Sequence, residues 1–198
     1  MFLLDRIYEH RETERLKKRL VREARSSSNS TALTAIDWLR SEGWLRGRAG
    51  LLKSEQLVGA NLEGAYLAYS NLLKTNLRIA NLSRANLGGA NLRGAILNYA
   101  NLEDANLFGA VLECADMEFT HLKGAMLHGA NLVGANILGV DLTNAELKDT
   151  ILPDGTNYRI DTTDISIFTD SEHPEYEATL SKINDLRQIR GIEKIEIS

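Results

Sequence analysis

From Asn76 to Ala95 the chain reads NLRIA-NLSRA-NLGGA-NLRGA, four five-residue units in succession. The count extends in both directions without an insertion. Every fifth residue from Leu57 to Leu152 gives 20 positions, of which 18 are Leu and the others Met117 and Ile137. Two residues ahead of these positions, from Ala60 to Ala145, 14 of 18 are Ala, and Ser70, Thr75, Thr120 and Val140 fill the rest. The residue between is most often Asn, as in Asn61, Asn81 and Asn101, and nine positions two after the Leu are Gly, Gly64, Gly94 and Gly129 among them. The unit is A-N-L-x-x.

A period of five suits neither the 3.6 of an amphipathic helix nor the 2 of a long strand. A large and a small apolar residue two apart lie on one side of a short extended segment, and the remaining residues must turn the chain. Asn and Gly tolerate turning conformations. Repeated without slippage, such units wind the chain into a coil, with Leu and Ala inside and three positions per unit outside. Ala keeps the interior narrow. Both prolines, Pro153 and Pro174, fall beyond the last repeat, where they remove no ladder donor.

The composition fits a packed protein: 198 residues, 43% hydrophobic, 25% charged, net charge −4. No apolar run approaches the roughly 18 residues needed to cross a bilayer, and the start Met1 to Leu4 is cut short by Asp5 and Arg6. A cytoplasmic location without a membrane span is expected. One cysteine, Cys114, excludes an intramolecular disulfide and a thiolate metal cluster. Its place in the unit is outward, with Glu113 and Asp116 nearby disfavouring a thiolate.

The A-N-L-x-x units of residues 50–152 resemble the pentapeptide-repeat family, whose motif is A-(D/N)-L-x-x. The resemblance implies an all-β solenoid, a right-handed quadrilateral β-helix with four pentads per coil. It also implies about five coils and a rod ~24 Å long. Residues 1–49 are then an α-helical N-terminal cap, and residues 153–198 a small α/β C-terminal cap or a self-association element. Within the first flank, residues 3–25 form a charged, helix-prone stretch with Leu3, Ile7, Leu16 and Leu20 as sparse apolar positions. A second helix is predicted from Thr31 to Glu42, with Ala32, Ala35, Ile36 and Leu39 on one face and Gly43 as its stop. Trp38, Trp44 and Leu45 are expected on the first coil. In the second flank, Thr163 to Thr169 alternates like a short strand, Pro174 opens a helix to about Arg190, and Ile192 to Ile197 reads as an edge strand.

With 20 residues per coil, outward residues sort into columns. One column reads Gly59, Ile79, Tyr99, Phe119, Gly139, an apolar stripe with Ile96 and Leu138 beside it. Such a patch marks contact with a protein partner or a second copy of the chain, unless a flank of the same chain covers it. Lys74, Arg78, Arg84 and Arg93 form a basic zone, followed by acidic Glu103, Asp104, Glu113, Asp116 and Glu118. Residues 1–49 carry net charge +4, 50–152 carry −3 and 153–198 carry −5. The small basic zone, the shortage of stacking aromatics within it and the acidic total argue against direct nucleic-acid binding.

No constellation for catalysis or for a cofactor is present. His121 and His128 occupy different pentad positions and point apart, so no metal site is expected, and the glycines match neither phosphate-loop pattern. The expectation is a non-enzymatic scaffold for protein–protein interaction. The family resemblance implies one alternative, a DNA-mimicking modulator of a type II topoisomerase such as DNA gyrase.

Overall fold

The computed structural model describes residues 2–159, 163–191 and 194–195, with side chains from Glu9 onward. Parallel bridges join residues 20 apart, starting with Gln56 to Asn76 and repeating every five residues up to Asn131 with Ile151. The coil therefore holds four pentads. The Leu, Met and Ile positions point inward together with the Ala positions, and both sets are buried over most of the rod.

One pentad shows why the pattern is stable. Asn76 N–H donates to Glu55 O of the preceding coil at 2.9 Å, and Leu77 and Ile79 donate to Ile96 O and Asn98 O of the next at 2.7 and 3.0 Å. Ala80 N–H closes a turn onto Leu77 O at 3.0 Å. The fifth donor, Arg78 N–H, is taken by Asn76 Oδ1 at 3.1 Å. All five backbone donors are thus partnered. The same side-chain-to-backbone bond recurs at Asn81, Asn86, Asn91, Asn101 and Asn131. Asn is selected as an acceptor two residues back, the Asx turn, rather than for tolerance of unusual torsions. Those torsions fall on the last residue of each outward pair: Gly109 has φ +62, and Ile79, Tyr99 and Phe119 at equivalent places have φ +53, +60 and +54.

A turn every five residues leaves one paired residue per side, so the rod consists of isolated bridges rather than continuous strands. The all-β description holds for the ladder alone. The named elements are helices: α1 (Phe2–Ala24), α2 (Asn29–Ser41), α3 (Ser166–Thr169) and α4 (Tyr176–Ile189). The four sides of the rod are named below by their core residue in the third coil, Leu97, Leu102, Leu107 and Leu112.

At the N-terminal end, α1 and α2 pack on each other and continue the core. Leu20, Val21 and Ala24 of α1 and Ala32, Ala35, Ile36 and Leu39 of α2 are buried in one cluster with the coil leucines. The flank also supplies acceptors to first-coil donors that have no preceding coil: Asn61 N–H to Ser26 O at 2.9 Å and Asn71 N–H to Leu45 O at 2.7 Å. An ion pair joins Arg25 to Glu55 at 2.5 Å. Leu45 is buried and Trp44 half-buried against the core, but Trp38 is 44% exposed and does not pack on the first coil. It faces outward beside Leu16 and Arg19 of α1.

The C-terminal flank departs further from expectation. The alternating stretch Thr163 to Thr169 ends in α3 rather than running as a strand, because the Asp164 carboxylate accepts both the Ser166 N–H, at 2.9 Å, and its hydroxyl, at 2.6 Å. That closes a turn and lets Phe168 drop into the core. The described part of this flank is helical, with one antiparallel bridge, Ile151 to Asn157, at its start. α4 begins two residues after Pro174, close to its predicted place. Of the segment Ile192 to Ile197, only Lys194 and Ile195 lie within the described residues. Thr169 O accepts from Gly139 N–H at 2.7 Å, so α3 sits over the last coil. Leu142 and Ala145 remain partly exposed there.

Candidate interaction surfaces

The Leu97 side carries the stripe read from the sequence. Its corner positions Ile79, Tyr99 and Phe119 are 56%, 48% and 42% exposed. Tyr99 and Phe119 stack, with ring centroids 5.3 Å apart and planes 23° apart. Phe119 lies over Gly139 and Ile79 over Gly59, so glycines at both ends leave room for the outer side chains. These three side chains stay exposed although α4 reaches the same side, where its Arg187 pairs with Asp116 and its Tyr176 lies near Glu118. Ile96 is also exposed, whereas Leu138 is half-buried.

The basic zone is contiguous in sequence but divided in space. Lys74 and Arg93 lie on the Leu112 side, Arg78 on the Leu97 side and Arg84 on the Leu102 side. Arg84 pairs with Glu63 at 3.1 Å and Arg93 with Glu113 at 3.7 Å. The acids spread likewise: Glu103 and Asp104 are on the Leu102 side, Glu113 on the Leu112 side, and Asp116 and Glu118 on the Leu97 side.

Cys114 is buried, not outward and accessible, because α4 lies against it. Arg187 of α4 is 2% exposed. Its guanidinium donates to Cys114 O at 3.4 Å, Gly134 O at 3.0 Å and the Asp116 carboxylate at 3.0 Å. Burial pushes the Cys114 thiol above its ordinary pKa, against the opposing pull of Arg187. Lys182 fixes the same helix to Asp154 at 2.9 Å. His128 sits 3.2 Å from Asp149 with its ring edge-on to Phe108, and His121 is on the adjacent side. Among the described residues, no group of three or more His, Cys, Asp or Glu is placed to hold a metal. No described helix is long and apolar enough to cross a membrane.

A second apolar surface escaped the sequence reading. On the Leu107 side, Tyr69 and Phe108 are 65% and 59% exposed, with Tyr66 and Met126 also outward. The Tyr69 ring lies over Gly89, 2.6 Å from where a Cβ would stand. Arg40 and Arg46 of the N-terminal flank stand over the Tyr66 and Tyr69 rings at 5.1 and 5.6 Å. The signal was in the columns: Tyr69, Gly89 and Gly109 are successive corners of one side, and Gly89 leaves the aromatic ring its space.

These features define a solenoid of pentads with outward apolar surfaces. The model of the pentapeptide repeats matches residues 56–84, 76–113, 85–124 and 110–149, and the chain belongs to the pentapeptide-repeat family. Among solved structures, it is 35% identical to the pentapeptide repeat protein Rfr23 from the cyanobacterium Cyanothece 51142, over 50% of this chain and 65% of that one, with a TM-score of 0.41. It is 32% identical to HetL, a pentapeptide repeat protein involved in heterocyst differentiation regulation from Nostoc sp. strain PCC 7120, over 54% and 61%, with a TM-score of 0.27. It is 31% identical to a pentapeptide repeat protein of the Arabidopsis thaliana thylakoid lumen, over 52% and 77%, with a TM-score of 0.27. The chain thus spans less than two thirds of the first two relatives. No curated protein matches it.

Proposed function

We propose that this chain is a non-catalytic scaffold that binds another protein through the faces of its rod, with the Ile79, Tyr99 and Phe119 stripe as the contact. The rod is taken as a right-handed, four-sided β-helix of about five coils, with residues 1–49 and 153–198 closing its ends. The observation that carries the function is where the stripe residues stand. All three occupy corners with positive φ, a conformation that glycine adopts freely and that costs other residues ~1–2 kcal/mol each. A β-branched residue there is an outlier. Beyond the Tyr99–Phe119 stack the fold gains little from large apolar side chains at these exposed corners, so the strain points to a role outside the fold. A rod whose ladder is already ordered loses little entropy on binding, which lets a modest patch serve.

The DNA-mimic reading calls for one continuous acidic face. Here the acids of the rod occupy all four sides, with Glu146 and Asp149 on the Leu107 side, and Glu103 and Glu113 are near Lys123 and Arg93, so the geometry favours the scaffold. The test compares proteins retained from native lysate by the wild-type chain and by Tyr99→Glu with Phe119→Glu. Loss of a discrete bound protein supports the stripe, and an unchanged set sinks it.

A further inference from the structure

We propose that the Leu97 side pairs with the same side of a second copy of this chain, antiparallel, about a twofold axis crossing the rod at the level of Asn98 and Tyr99. The inference rests on the stripe being a protein-contact surface and names what it contacts.

Two neighbouring columns carry the argument. The corner column runs Gly59, Ile79, Tyr99, Phe119, Gly139, and the column beside it Val58, Arg78, Asn98, Glu118, Leu138. Reversed end to end, the first keeps its order of small, large apolar, Tyr, large apolar, small. The second keeps apolar, charged, Asn, charged, apolar, with the sign of each charge inverted. A surface that preserves its shape and inverts its charge on reversal is what an isologous interface requires.

The register follows from the ladder. Each step along a column is one coil, so Arg78 and Glu118 lie at equal distances on either side of Asn98. A twofold axis lying in the interface and perpendicular to the rods keeps each column opposite itself and reverses its direction. Arg78 then faces Glu118 of the second copy, twice, and Ile79 faces Phe119, twice. Tyr99 and Ile96 meet their own counterparts on the axis. A parallel pairing would instead bring Arg78 level with Arg78. Neither Arg78 nor Glu118 makes an ion pair among the described residues; Arg78 is exposed, and Glu118 is half-buried with Tyr176 of α4 near it, so neither charge is already neutralised by an ion pair. The antiparallel arrangement also sets the described, net-positive part of the N-terminal flank of each copy beside the described, net-negative part of the C-terminal flank of the other.

A face ~24 Å long falls short of the ~800 Å² per partner of a standard interface. The pair is therefore weak and reversible, in the micromolar range or above, and sensitive to salt because charge sets its register.

Sedimentation of the full chain, from about 10 μM to about 300 μM at low salt, should show a monomer–dimer equilibrium that weakens in high salt. Arg78→Glu and Glu118→Arg, each alone, place like charges face to face and should weaken the dimer at least ~10-fold. The double reversal restores both pairs and should return the affinity to within about threefold of wild type. Tyr99→Cys, on the axis, should form a disulfide-linked dimer under mild oxidation, whereas Lys74→Cys on the Leu112 side should not. A chain that stays monomeric at the top concentration, single reversals without effect, or a double reversal that fails to restore the dimer each overturns the proposal. If the chain is monomeric while the stripe variants still lose a captured protein, the scaffold reading stands and the self-pairing falls.

Discussion

Replacing Lys74 with glycine should stabilise this protein, the reverse of the usual effect of glycine. Lys74 occupies a corner with φ +56, is exposed and makes no ion pair among the described residues. Relief of the left-handed conformation returns ~1–2 kcal/mol. The added freedom of glycine in the unfolded chain takes back ~0.5–1 kcal/mol. The net gain is ~0.5–1 kcal/mol, an increase in melting temperature of about 2–3 °C for a chain of this size. Gly109→Ala is the reciprocal test. Gly109 has φ +62 and open space within 4 Å of an added Cβ, so only the torsion penalty acts, and a loss of ~0.5–1 kcal/mol is expected. Urea unfolding reads both as shifts in midpoint at unchanged slope. Destabilisation by Lys74→Gly, or an unchanged or higher midpoint for Gly109→Ala, would refute the claim that corner torsions limit the stability of the coil.

Leu97→Ala, in a fully buried position with ladder on both sides, leaves a cavity the rigid coil cannot collapse and should cost ~3–5 kcal/mol by urea unfolding. Asp154 is drawn to opposite sides: burial raises its pKa, but hydrogen bonds from Thr156 and Lys182 outweigh that and hold it below the usual carboxylate range. Its stabilising contribution is therefore present above the ordinary Asp pKa of ~3.9 and is lost as the pH falls below that; Asp154→Asn should flatten the drop in urea midpoint between about pH 5 and pH 3. The Cys114 thiol, buried and with a raised pKa, should react with a thiol reagent at least ~100-fold more slowly in the native chain than in the unfolded one. Ile79→Gly with Tyr99→Gly should leave stability within ~1 kcal/mol of wild type, because strain relief offsets lost packing, while abolishing stripe-dependent binding.

The core was legible because burial imposes a strict period: each inward position must be Leu-sized or Ala-sized, and 20 in-register positions cannot be read as helix or strand. The sites where the sequence was silent are those where single long-range contacts decide. Cys114 was assigned to solvent by its pentad position, and α4, whose Arg187 stands 73 residues further on, packs over it. Thr163 to Thr169 alternates as a strand would, yet one carboxylate at Asp164 turns it into helix. The role of Asn was half legible. Its preference for turns was apparent, but its acceptor bond to the N–H two residues ahead depends on the neighbouring coils taking up the other donors. Of the surfaces, the stripe was visible because its large residues fall in adjacent coils. Tyr69 and Phe108 are separated by glycines and were not read together.

The inward and outward halves of each pentad answer to different demands, and this is what makes the outward half informative. The ladder fixes where every outward Cα stands, so a residue there changes neither the register nor the core. The fold asks only that the corner accept a positive φ, and glycine meets that demand at nine corners from Gly59 to Gly139. Exposed polar residues such as Lys74, Arg84 and Asp104 bear the same penalty in exchange for solubility. Ile79, Tyr99 and Phe119 bear it and also expose apolar area to water, a double cost against which the Tyr99–Phe119 stack is the main return inside the molecule. They stand in three consecutive coils of one column, at the centre of a side whose charges invert about the same point. Contact with a second surface removes the apolar exposure and sets a gain against the torsional cost, which the ladder holds in place whether or not the stripe is covered.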